Sequence, residues 1–165
     1  MMHFLFTNPQ TGDGQQFFDL MRDFVKRYKD STASTEQFFA IANERVKNTP
    51  LAQKYGYNNL NWFYRQWVTQ TFLPSYELSY HIENDSTEGT LLKGELSQSG
   101  LPESENWFMP VPLVVHFHGG KIARATVAAH GVHTPVNIKL PEPPEKVELD
   151  PELWILSEKT STAKR

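Results

Sequence analysis

The sequence predicts an α+β chain: an N-terminal bundle of three helices followed by an antiparallel β-sandwich of about seven strands. Three observations carry this. One apolar stripe, Phe17, Leu20, Met21, Phe24 and Tyr28, recurs at helical spacing and faces Asp19, Arg22, Asp23, Lys26 and Arg27. After Pro74 the period changes to two: Tyr76, Leu78, Tyr80 and Ile82 alternate with Glu77, Ser79, His81 and Glu83. Beyond that point, turn signals recur at the spacing of short antiparallel strands. The boundaries read as a helical segment over 1–73, a sandwich over 74–157 and a disordered polar tail over 158–165.

Residues 3–6 are apolar and read as the end of a preceding element. Thr11-Gly12-Asp13-Gly14 is a turn with Asp13 placed to cap the first helix, 15–28. Ser34-Thr35-Glu36-Gln37 fits a capping box, in which Ser34 caps and Gln37 reaches back. The helix it opens runs to about Val46, with Phe38, Ile41, Ala42 and Arg45 on one side, and Thr49-Pro50 reads as its terminator. A third helix starts within 58–61 and runs to about Thr71. Strands are expected near 75–83, 90–99, 110–118, 121–129, 132–140, 145–149 and 153–157. The turns between them are Asn84-Asp85-Ser86, Ser99-Gly100-Leu101-Pro102, Gly119-Gly120 and Pro141-Glu142-Pro143-Pro144. Gly119-Gly120 is a two-residue hairpin signal.

The 165 residues are 39% hydrophobic and 21% charged, a balance that supports a core and excludes a disordered chain. The net charge of −3 is spread along the sequence without a basic stripe, which argues against nucleic acid as a partner. No apolar run reaches the ~20 residues of a membrane-spanning helix. Cysteine is absent, so disulfides and thiolate chemistry are excluded while the compartment stays open.

Histidine offers the clearest candidate chemistry. His116-Phe117-His118 puts two imidazoles on one strand face, and His130-Gly131-Val132-His133 adds two more. A catalytic zinc needs three protein ligands and carboxylates that orient the rings. Neither cluster contains an acidic residue, so these histidines read as solvent-facing. No His-Glu-x-x-His, no Gly-x-Ser-x-Gly and no phosphate-binding glycine loop occurs. Glu36, Glu44, Glu83, Glu95 and Glu103 are scattered, with no pair implied that would hold different pKa values. Trp62, Phe63, Tyr64 and Trp67 could form a stacking platform; they read instead as packing that joins the last helix to its neighbours and to the sandwich. No catalytic, cofactor-binding or metal-binding residue is assigned.

The order of segments resembles the C-terminal part of a known family, the gluzincin zinc aminopeptidases of the membrane alanyl aminopeptidase type. Phe18-Asp19-Leu20-Met21-Arg22-Asp23-Phe24-Val25-Lys26-Arg27-Tyr28, followed by Ala33 to Phe38, is similar to the family's late helical segment. Leu60-Asn61-Trp62-Phe63-Tyr64-Arg65-Gln66-Trp67 resembles its Asp-Trp-Phe-x-x-Trp helix. Met109-Pro110-Val111-Pro112-Leu113 and Val147 to Leu156 resemble pieces of its β-domain. Two departures are Asn61, where Asp is commoner, and Phe72-Leu73-Pro74 in place of a glycine-containing turn.

The resemblance implies that zinc, its ligands, the glutamates that hold the substrate's amino group and the catalytic tyrosine all lie upstream, so none has a counterpart here. It implies that 1–73 is the tail of a catalytic lobe, that the missing N-terminal lobe is the partner, and that peptide substrate and zinc belong to the parent protein. It also implies apolar surface left uncovered around Phe4, Phe6 and the helix faces. Two alternatives stand beside it. One is an independent sandwich module binding protein or glycan, with Trp107 and Phe108 as an exposed platform. The other is a small metalloenzyme built on His116, His118, His130 and His133.

Overall fold

The computed structural model describes residues 1–87, 89–102 and 106–165. It divides into two compact units, Met1–Thr71 and Phe72–Arg165.

The first unit holds five α-helices: α1 (Met2–Leu5), α2 (Gln15–Arg27), α3 (Thr35–Val46), α4 (Pro50–Tyr55) and α5 (Asn61–Trp67). The capping box forms as the sequence predicts. Ser34 Oγ accepts from Gln37 N–H at 3.3 Å, and the Gln37 side chain accepts from Ser34 N–H at 2.8 Å. Asp13 accepts from Gln15 N–H at 2.9 Å, although the residue at the cap itself is Gly14. α1 falls on the apolar residues read as the end of a preceding element, and one helix, α4, was not expected. Thr49-Pro50 does not merely stop α3; Thr49 accepts from Ala52 N–H and Pro50 occupies the first turn of α4. Pro50 has no N–H to lose there, so the residue that ends one helix also starts the next. The third expected helix is shorter than read, because Val68 caps α5 well before Thr71.

The centre of this unit is aliphatic and aromatic: Leu20, Ile41, Ala42, Val46, Leu51 and Leu60 are fully buried. Phe24 and Phe38 meet edge to face at 5.2 Å, as do Phe39 and Tyr64 at 5.0 Å. Phe4 and Phe6, expected to be uncovered, are 3% and 1% exposed. The apolar side chains that α2 leaves in solvent are Phe18 and Val25. Across α2 and α3, Arg27 spans Asp23 and Glu44, and Arg45 reaches Asp23 at 3.0 Å.

The second unit carries seven strands among the described residues: β1 (Ser75–Asp85), β2 (Gly89–Ser99), β3 (Phe108–His116), β4 (Ile122–His130), β5 (His133–Leu140), β6 (Lys146–Leu149) and β7 (Lys159–Lys164). They form two sheets, a four-stranded one in the order β5-β2-β1-β7 and a three-stranded one in the order β4-β3-β6. Every pairing is antiparallel except β1 with β7. The alternation read in 75–83 holds in its first part, with Tyr76, Leu78 and Tyr80 buried and Glu77 and His81 exposed, and fades at Ile82 and Glu83, which are both half-buried. β3 runs between two partners, and its residues from Met109 to Val115 are all buried, which explains why no alternation marks it.

Three expectations fail here. The hairpin joining β3 to β4 is longer than two residues. Phe117 and Lys121 still close it, at 2.9 Å, around a short 3-10 turn, His118–Gly120, with Gly119 and Gly120 both at positive φ. Residues 153–157 form no strand. Asp150 Oδ1 accepts from Trp154 N–H at 2.8 Å and Oδ2 from Ile155 N–H at 3.1 Å, so a turn claims the donors that a ladder would need. Finally, the polar tail is ordered. It forms β7, parallel to β1 from Ser75↔Lys159 to Tyr80↔Lys164, because β1 presents an unpaired edge whose backbone groups need partners whatever the side chains are.

Candidate functional site

The histidines are the clearest candidate chemistry in the sequence, and the fold gives each a separate setting. His116 ends β3, where the register sets it across from Lys146 and beside Glu148 on β6. Its Nε2 lies 2.8 Å from Glu148 Oε2. Lys146 holds the other carboxylate oxygen at 2.6 Å and, as the largest influence, keeps Glu148 below the usual carboxylate range; burial opposes this and His116 adds to it. His118, with its side chain 93% exposed, sits in the loop and pairs with Glu145 at 2.9 Å. The acidic partners missing from the sequence around these histidines therefore come from β6 and the segment before it. Only the strand register could have revealed them.

His130 and His133 bracket the turn between β4 and β5 but do not join. His130 Nε2 lies 3.3 Å from Asn106 Nδ2. On β5, His133 Nδ1 lies 3.0 Å from Glu95 Oε1 and 3.4 Å from Ser97 Oγ, both on β2. This is a serine, a histidine and a carboxylate together, yet it is no proton relay. A relay needs the hydroxyl on one ring nitrogen and the carboxylate on the other, and here both face Nδ1. The settings of the four histidines do not make a zinc centre among the described residues either. Among the described residues no three His, Cys, Asp or Glu side chains converge where a metal could be held.

The outward face of the four-stranded sheet carries a shallow groove of about 340 Å³ lined by Ser75, Glu77, Ser97, Ser99, Lys159 and Ser161. It is hydroxyl-rich, with one charge of each sign, and Ser75 Oγ already donates to Glu158 at 3.4 Å. A groove of this kind can hydrogen-bond a polar chain but supplies no activated nucleophile or base.

The remaining candidates resolve as packing. Trp107 is fully buried, so the exposed platform expected of a binding module is absent at that position. Within the helical unit Trp62 meets Tyr57 at 5.6 Å and Phe63 at 5.7 Å, and Trp67 meets Phe63 at 6.4 Å. Glu36 lies near Tyr64 (3.5 Å), with Ser34 the main cause of its lowered pKa, Glu44 pairs with Arg27, and Glu83 with Lys93 at 3.1 Å. Glu103 lies outside the described residues. One buried carboxylate was missed by the sequence reading: Asp150, 1% exposed, with burial pushing its pKa up against the two backbone N–H groups that favour its charge. Tyr76, also buried, has its hydroxyl pKa raised mainly by loss of water and secondarily by Asp150.

No protein-family model matches the chain, and no curated protein matches it in sequence. A likeness does appear among solved structures. The crystal structure of Legionella pneumophila aminopeptidase A in complex with aspartic acid superposes with a TM-score of 0.55 at 15% identity. The match covers 90% of this chain and 15% of that one. The chain therefore has a fold similar to one part of a much longer aminopeptidase.

Proposed function

We propose that this chain is a non-catalytic C-terminal region of a zinc metallo-aminopeptidase of the gluzincin class. It braces a catalytic lobe whose zinc site lies upstream, and the parent protein hydrolyses N-terminal residues from peptides. The observation that carries this reading is the asymmetry of the structural likeness, which takes in nearly all of this chain and only a small part of an aminopeptidase. The segment order noted in the sequence supports it independently. The scattered settings of His116, His118, His130 and His133 support the non-catalytic part, because each is engaged by a different neighbour.

In this reading the two sheets pack face to face as a sandwich, and α2, α3 and α5 make up the closing bundle of the catalytic lobe. Zinc would supply an activated water in the parent. This chain contributes no ligand to it, so its own residues serve shape and stability.

The test is direct. The untagged chain, purified without added metal and then dialysed against zinc, is assayed for bound zinc and for hydrolysis of aminoacyl anilides. Sub-stoichiometric zinc and a rate equal to the buffer blank are expected. One zinc per chain together with turnover would overturn the reading.

A further inference from the structure

We propose that β7 is an exchangeable strand, which leaves the edge of β1 in its own chain and occupies the same edge in a second copy. This goes beyond the functional reading above and does not rest on it.

The first observation is how β7 is held. None of its six residues is buried. The opposite edge strand of the same sheet, β5, sinks Val136 and Leu140 into the core. What fixes β7 is backbone: the parallel ladder to Ser75–Tyr80, Glu158 N–H to Pro74 O at 2.9 Å and Arg165 N–H to Tyr80 O at 2.7 Å. One side chain helps, Thr162 Oγ1 donating to Val147 O at 3.1 Å. β7 itself has no core side chain to withdraw, and the Lys-Thr-Ser-Thr-Ala-Lys segment is readily hydrated. The edge it leaves on β1 is then a row of unpaired backbone groups that must be paired again. A second copy offers the one segment that repeats every one of these contacts.

The second observation is the hinge. Residues 150–158 connect β6 to β7, and two non-glycine residues there have left-handed backbones, Asp150 (φ 46) and Leu153 (φ 55). Aspartate adopts that region readily, whereas a leucine is strained in it. Leu153 is also 83% exposed and Leu156 55%, so the hinge spends apolar surface on solvent in the closed form. Opening it releases the strain at Leu153. Fully extended, at the loss of the Asp150 bonds to Trp154 and Ile155 and of the burial of Ile155, the connection reaches roughly 30 Å, enough to carry β7 across to a neighbouring molecule.

The chain has no cysteine, which makes the test clean. Ser79 and Ala163 face each other in the β1–β7 register. One full-length chain carrying only Ser79→Cys is mixed with one carrying only Ala163→Cys, held at high concentration and oxidised. A disulfide-linked heterodimer on a non-reducing gel is expected, in a yield that rises with concentration. Adding Leu153→Gly to both chains relieves the strained hinge and should lower that yield about five- to tenfold. A control chain with both cysteines at low concentration should close its own disulfide. If the control closes and the mixture stays monomeric, exchange does not occur; if the control fails to close, the β7 pairing itself is wrong. Either result overturns the proposal.

Discussion

At the scale of single residues, Asp150 is where local chemistry overrides pattern. Leu153, Ile155 and their neighbours alternate well enough to suggest a strand, and the residue that prevents it stands three positions earlier. Its carboxylate takes the N–H groups of Trp154 and Ile155, and its own N–H bonds to Pro112 O at 2.9 Å. Replacing Asp150 by alanine strands two backbone donors, a loss of about 3 kcal/mol in urea unfolding. The pH dependence has a definite sign. Burial raises the pKa of Asp150 in the folded chain above its ordinary 3.8, so its stabilising contribution is largest below that ordinary value and declines as pH rises through the folded pKa. Compared with Asp150→Asn, the parent chain should therefore gain stability as pH falls from 7 towards 4. A parent chain that loses stability relative to Asp150→Asn over that range would show that Asp150 is not desolvated. The histidines teach the converse lesson. Nothing near His116 or His118 in sequence is acidic, and Glu148 and Glu145 reach them only through the β3–β6 register and the segment before β6.

At the scale of elements, what could be read was whatever is encoded locally. The capping box at Ser34 is four residues long, and the structure forms it. Ser34→Ala should cost about 1 kcal/mol in thermal or urea unfolding. Thr49-Pro50 is equally local but ambiguous, since a proline that bars one helix from continuing suits the first turn of another. β7 was not legible at all. Its residues carry no apolar alternation, and its order comes from the edge of β1, more than seventy residues away in sequence. Gly94 shows how closely that sheet is built. A Cβ there would overlap the carbonyl oxygen of Ser79 on β1, which is backbone and cannot swing aside. Gly94→Ala should lose about 3 kcal/mol and broaden the amide signals of β1 and β2 in a heteronuclear NMR spectrum, while those of α2 and α3 stay in place. A substitution without effect on unfolding would mean the two strands are not in this register.

At the scale of the whole molecule, the change of hydrophobic period near Pro74 marks the division into a helical and a strand-rich unit, which the structure places between Thr71 and Phe72. The proposed activity was not readable from individual residues, because function is lodged in sites, not folds, and among the described residues no three metal-ligating side chains converge. It rests on segment order and on a fold shared with part of an aminopeptidase. The most direct measurement is therefore the reading frame upstream of Met1. The account predicts a His-Glu-x-x-His, a further glutamate and then a tyrosine before this chain begins. An in-frame stop, or an unrelated domain in that place, would contradict it.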